Sequence, residues 1–259
     1  MNQNCFELEE RDNNDKDDDG VQRRSSTTFA RSVKMSIRTR ALVFSTFFGS
    51  CLAIGLLLVS VTTNHWVRAY PRRINSTEAK GDVNFGLFYG SQYLNLGIGE
   101  RCHPLEVYSF IRTEHGDNSF WLWLITTLGT GLGLLACAVA AIAAVLKSAS
   151  AAKKGGTMVL LLASNISAAG AQIVAFVAWL VQFYQYLIHN VLLTEHQKQH
   201  WTSTGLASLG YSFYLVVIST IVVLINIIIL LYAKRREHRD RHRLEPLSKD
   251  KNQAAIMLY

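Results

Sequence analysis

The chain has 259 residues, 49% of them hydrophobic and 17% charged, with a net charge of +7. These averages would also fit a soluble domain, but the charge is segregated: 41–67, 118–146, 155–194 and 199–233 contain no Asp, Glu, Lys or Arg. Each stretch is long enough to cross a hydrocarbon core of roughly 30 Å as a helix. The lipid bilayer is therefore the first partner expected, and the basic excess reads as a topology signal rather than a nucleic-acid surface.

Residues 1–40 open with an acidic, Asn-rich run from Glu7 to Asp19, followed by Ser, Thr and Arg. This composition buries too little apolar surface to offset ordering entropy, so a disordered cytoplasmic N-terminus is expected over 1–40. Arg23-Arg24-Ser25-Ser26 is a candidate phosphorylation segment. The first span, about 41–65, follows this charged segment and reads as an uncleaved signal-anchor. Ser45, Gly49 and Ala53 sit four apart on it, a spacing that lets helix backbones approach closely in lipid. His65 reads as an interfacial residue, and Trp66 closes the span.

Residues 66–119 form the first loop. Asn75-Ser76-Thr77 is a glycosylation sequon. Asn165-Ile166-Ser167 has the same form but lies within a span, out of reach of the glycosylation machinery. Asn84 to Gly90 and Asn95 to Cys102 place aromatic and aliphatic residues between glycines, which predicts short antiparallel strands. Cys102 is the loop's one cysteine; Cys51 and Cys137 lie in spans and Cys5 in the N-terminus. The expected state of Cys102 is a free thiol, with an intermolecular bond as the alternative.

The remaining spans are read at about 120–146, 157–188 and 209–233. Gly129 and Gly133, and Ala163, Ser167 and Ala171, repeat the small-residue spacing, expected to pack the bundle, with a lateral membrane-protein partner as the second reading. Asn165, Gln172, Gln182, Gln185 and Asn226 are neutral amides expected to hydrogen-bond between helices. A transport path more often carries an intramembrane charge. The third stretch exceeds the hydrocarbon core by several turns, so its helix is expected to protrude on the outer side.

Lys147, Lys153 and Lys154 in the short loop, and the basic residues from Lys234 to Arg243, put both termini in the cytoplasm and the first and third loops outside or in the lumen. The predicted architecture is an all-α membrane protein: a four-helix transmembrane bundle over 41–233, a small extracellular antiparallel β-sheet from the first loop, and a cytoplasmic tail over 234–259. The membrane is a plasma or secretory-pathway membrane.

No Ser-His-Asp pattern, phosphate-binding glycine loop or Cys/His cluster is found, so no catalytic residue, cofactor or metal site is expected and the chain reads as a non-enzyme. His196 and His200 share an i, i+4 spacing without a third ligand, as do His238 and His242; solvated polar faces are expected. The tail Met257-Leu258-Tyr259 ends in the pattern that adds to a PDZ groove, making it a candidate PDZ-binding segment.

Trp66, then Gly86-Leu87-Phe88, then Cys102 resembles the claudin-like tetraspan superfamily, whose pattern is a Trp, a Gly-Leu-Trp and two cysteines. Here Phe88 stands for Trp and one cysteine is missing, a departure that bears on the loop disulfide and on a junctional role. Gly86-Leu87-Phe88-Tyr89-Gly90, the sequon at Asn75, Gly97-x-Gly99 and the ending Met257-Leu258-Tyr259 are similar to the clarin family. The long acidic N-terminus departs from it. What this resemblance implies is a non-enzymatic organiser of membrane or actin-cytoskeleton-linked complexes in sensory cells, linked to hearing, vision, hair-bundle maintenance and ribbon synapses. The alternatives are a channel or transporter and a claudin-like cell–cell adhesion protein.

Overall fold

The computed structural model describes residues 38–74, 79–95, 100–149 and 156–256. Asn75, Gly97, Gly99, residues 1–37 and the tail Met257–Tyr259 lie outside the described residues. Four helices are long and apolar enough to cross a membrane. These are α1 (Arg38–Thr62), α2 (Val107–Ala149), α3 (Gly156–Gln182) with its π-helical continuation Phe183–Leu187, and α5 (Tyr211–Ile256), apolar over its first part. A short α4 (Thr194–Lys198) lies between α3 and α5.

The chain divides into two units, one of Phe44–Leu231 and one of Met1–Val43 with Tyr232–Tyr259. In the second unit the described backbone is helical. It carries the exposed Lys234, Arg235 and Arg239, and the helix runs on to Ile256, so the tail is helical up to that residue.

In the first unit, small and polar residues hold the helices together. A Cβ on Gly49 would fall on the Asn226 amide, and one on Gly129 would come within 2.9 Å of the Ala171 carbonyl. These glycines pack helix on helix, as their spacing predicts. The α3 stripe is divided: Ala163 and Ser167 face outward, Ala171 is half-buried with its carbonyl against Gly129, and the buried face runs Asn165, Ala168, Gln172, Ala175, Trp179. Small residues occur on both faces of this helix, so spacing alone does not choose between them.

Three of the amides join helices. Gln172 Nε2 donates to Cys137 Sγ of α2 at 3.5 Å, and its Oε1 accepts from Thr220 Oγ1 of α5 at 3.1 Å. Asn226 Nδ2 donates to the Thr46 carbonyl of α1, and Gln182 Nε2 to Ser119 Oγ of α2. Asn165 instead bonds within its own helix, to the Leu161 carbonyl, and Gln185 is exposed. Gln172→Leu removes two interhelical bonds and is expected to lower stability by about 0.6–2 kcal/mol. Unfolding in detergent checks this, with Gln185→Leu expected to match the parent.

Strands β1 (Val67–Ala69), β2 (Arg72–Arg73), β3 (Gly81–Phe85), β4 (Tyr89–Asn95) and β5 (Glu100–Glu106) come from the first loop. β6 (Trp201–Thr202) and β7 (Ala207–Leu209) come from the loop before α5. The main sheet is five-stranded and antiparallel in the order β5-β4-β3-β1-β7, and β2 pairs with β6. The strand expectation for the first loop is met, but the sheet also recruits a strand from the third loop. Both loops join the same ends of the helices, so the sheet stands at one end of the bundle. Alternation sets its faces. Val67, Ala69, Val83, Phe85, Leu94 and Leu105 are buried, whereas Arg68, Tyr93 and Cys102 point away.

Helix α2 begins earlier than the loop reading places it. Val107, Phe110 and Ile111 are buried at helical spacing against the sheet. At Gly116 the backbone turns with φ 75° and ψ −175°, and the spanning part follows. A left-handed φ of this kind is one that glycine adopts without a Cβ penalty. Asp117 and Asn118 then supply the short polar side chains favoured at a helix start.

Candidate functional site

Of the residues that carry the resemblance, Trp66 and Gly86 to Gly90 converge where the sheet meets the bundle. Trp66 is fully buried at their centre. Its backbone N–H donates to the Phe85 carbonyl of β3 at 3.0 Å, and its own carbonyl accepts from Gly210 N at 2.9 Å. The indole Nε1 donates to the Ser60 carbonyl at 2.7 Å. Ser60 lies in the last turn of α1, where carbonyls lack intrahelical partners, so the indole caps that helix. Across the bundle the ring meets Trp179 of α3 edge-on, centroids 4.9 Å apart. One residue thus ties α1 and α3 through its side chain and β3 and the start of α5 through its backbone.

The Gly86–Gly90 segment is the hairpin between β3 and β4. Gly86 N donates to the Tyr89 carbonyl at 2.8 Å. A Cβ on Gly86 would fall on the Thr63 carbonyl, and one on Gly90 on the Cβ of Phe85 opposite it. Leu87 is buried, and its carbonyl accepts from Trp123 Nε1 of α2 at 2.8 Å. Phe88 stands edge-on to the same indole at 6.4 Å. Glycine is needed at both ends for close approach, and the apolar pair between them locks the hairpin onto α2.

The collar is completed by His65, read as interfacial, and by Ser60, Thr63, Gly210, Tyr211 and Ser212, which sequence reasoning did not single out. Ser60 Oγ donates to the Ser212 carbonyl at 2.7 Å, Thr63 and Ser212 share a hydroxyl bond at 2.7 Å, and His65 stacks on Tyr211 at 4.9 Å. A Cβ on Gly210 would overlap the His65 carbonyl. These contacts are long-range, so only the pairing of β1 with β7 makes them visible.

The outward face of the sheet is polar. Arg68 pairs with Asp82 at 3.7 Å and lies over the Tyr70 ring at 5.1 Å. Cys102 is an exposed free thiol on the edge strand β5, directly opposite Tyr93. A hydrogen bond with Cys102 raises the Tyr93 phenol above its ordinary value. The same strand carries Pro104, which has no N–H to offer a further strand.

The two loops also meet at α4. Glu114 accepts from Thr194 N at 3.1 Å and from the Thr194 hydroxyl, capping α4 from another element. His196 on α4 lies 5.8 Å from His103 on β5, ring to ring. His200 falls beyond α4, with φ 67°. No group of three metal-binding side chains is found among the described residues. Burial pushes the His196 imidazole below its ordinary value and His103 adds to this, while Glu195 pulls the other way.

A histidine whose folded pKa is lowered contributes stability that is complete above about 6.5, its unfolded value. That contribution is lost as pH falls from there through the folded value. Protection of the α4 amides, taken relative to intrinsic exchange, which itself slows as pH falls, is therefore expected to decrease between pH 7 and pH 5. In His196→Phe this loss of protection should vanish, and its persistence there would count against the His196 account.

No family model matches the chain, and no curated protein is found to match it.

Proposed function

We propose that this chain is a clarin-like tetraspan, a non-enzymatic organiser of membrane or cytoskeleton-linked complexes. The observation that carries the reading is the collar: Trp66, Gly86, Leu87, Phe88 and Gly90, the residues that resemble the family's first-loop pattern, all take part in one joint between sheet and bundle. A resemblance made of short motifs gains weight when its members meet in space and each has a structural duty.

In this reading both termini face the cytoplasm, the sheet faces outside or the lumen, and Asn75 carries a glycan. The polar outward face of the sheet and the outward stripe of α3 are the contact surfaces for lateral partners. Met257, Leu258 and Tyr259 engage a PDZ-type scaffold. Sensory-cell roles enter from the resemblance alone. The neutral amides that join helices favour this reading over a channel or transporter, because their hydrogen bonds are spent on groups of neighbouring helices. The single loop cysteine, exposed on β5, weighs against a claudin-like adhesion role.

Proximity labelling in native cells, with the tag on the tail, tests the proposal. Enrichment of scaffold, actin-linked or synaptic proteins over an unrelated four-span control is expected, and should fall when Tyr259 is deleted. A neighbour set equal to the control's would refute it.

A further inference from the structure

We propose that the tip of the β3–β4 hairpin is a membrane-interface element, with Phe88 and Tyr89 resting in the headgroup layer of the leaflet on the sheet side, beside α2. The sheet is then not only mounted on the bundle but also seated on lipid at one corner.

Depth along α2 carries the first part of the argument. From Trp123 to Lys147 an α-helix rises about 36 Å. That exceeds a hydrocarbon core of roughly 30 Å and stays within the roughly 40–45 Å that includes the headgroups. With Lys147 at the far boundary, the Trp123 indole lies in the near headgroup layer, where amphipathic rings collect. The hairpin is held at that depth by the Leu87 carbonyl on Trp123 Nε1 and by Phe88 against the indole face.

Exposure carries the second part. Leu87 is 1% exposed, whereas Phe88 is 37% and Tyr89 67% exposed. Tyr108, next to Val107 whose N–H donates to the Phe88 carbonyl, is also exposed, as is Trp121 on α2. Tyr108 packs on Phe120 and Trp123, so these aromatics form a ridge continuous with the lipid-facing Ile125 and Leu128 of α2. Farther from the tip, the outward face of the sheet turns polar at Asn84, Asp82 and Arg68. An aromatic ridge that continues a lipid-facing helix and carries charges at its rim, with Arg112 on Tyr108 and over Phe120 and Glu106 opposite Tyr89, matches a headgroup layer.

Spin labels test this. Tyr89→Cys and Tyr93→Cys are each made in a chain whose four native cysteines are replaced, then reconstituted in phosphatidylcholine vesicles. Both tyrosines are exposed, so labelling should leave the fold intact. The label at 89 is expected to collide more with oxygen than with a water-soluble nickel chelate, and the label at 93 the reverse. An aqueous pattern at 89, or protection there from both reagents in pure lipid, overturns the proposal; the second would mean that protein covers the tip. Should the cysteine-free chain not fold, Tyr89→Trp in the otherwise unaltered chain gives the same reading. Brominated phosphatidylcholine is then expected to quench the added fluorescence, and unquenched added fluorescence overturns the proposal.

Discussion

Trp66→Ala is expected to destabilise the protein by about 3–5 kcal/mol, the range for deleting a buried large aromatic side chain. The residue is fully buried, so its removal leaves a cavity under the sheet. It also takes away the edge-on contact with Trp179 and the cap on the Ser60 carbonyl. The lost side-chain contacts lie on α1 and α3 and the cavity lies under the sheet, so the sheet and bundle should loosen together. Trp66→Phe separates the contributions. It keeps most of the ring against Trp179 but frees the Ser60 carbonyl in a buried place, at a cost of about 1–3 kcal/mol. Thermal unfolding in detergent, followed by loss of the monodisperse peak, measures both. Parent-like stability of Trp66→Ala would mean that the collar does not hold the joint.

Gly210→Ala is the second large effect, about 1–3 kcal/mol as an overpacking substitution. The added Cβ meets the His65 carbonyl, a backbone atom that cannot rotate aside. Relief requires β1 and the start of α5 to part, which strains the bonds from Gly210 N to the Trp66 carbonyl and from Ser212 N to the His65 carbonyl. Gly86→Ala should act similarly through the Thr63 carbonyl. Gly170→Ala is the control. Gly170 lies within α3 with open space where its Cβ would be, so alanine should leave stability unchanged or raise it by up to about 1 kcal/mol. A shared loss in all three would point to glycine content rather than to close approach.

The spans were legible because lipid demands long charge-free helices, and charge was absent from four stretches of that length. The first-loop strands were legible from aromatic and aliphatic residues bounded by glycine. β7 was not, because Ala207-Ser208-Leu209 is short and its partner β1 lies far away in the sequence. The start of α2 was missed although Val107, Phe110 and Ile111 carry helical spacing; the charges between Arg112 and Asp117 suggested loop. On α3, alanine and serine occupy both faces, so the small-residue rule chose Ala163 and Ser167, whereas the amides Asn165 and Gln172 mark the buried side. Of the candidate site, Trp66 and Gly86 to Gly90 were visible as a pattern. Ser60, Ser212, Tyr211 and Gly210 became visible only through tertiary contact.

These polar side chains share one physical role. Gln172, Asn226 and Ser219, which donates to the Ala53 carbonyl at 3.2 Å, face other helices inside the bundle. In the proposed reading their duty is to join helices rather than to line a path for a solute. Purified protein reconstituted in a planar bilayer is the most direct test. The account predicts no selective conductance above that of protein-free lipid, with Gln172→Leu and Asn226→Leu changing stability alone. A robust, ion-selective current that those substitutions alter would contradict it.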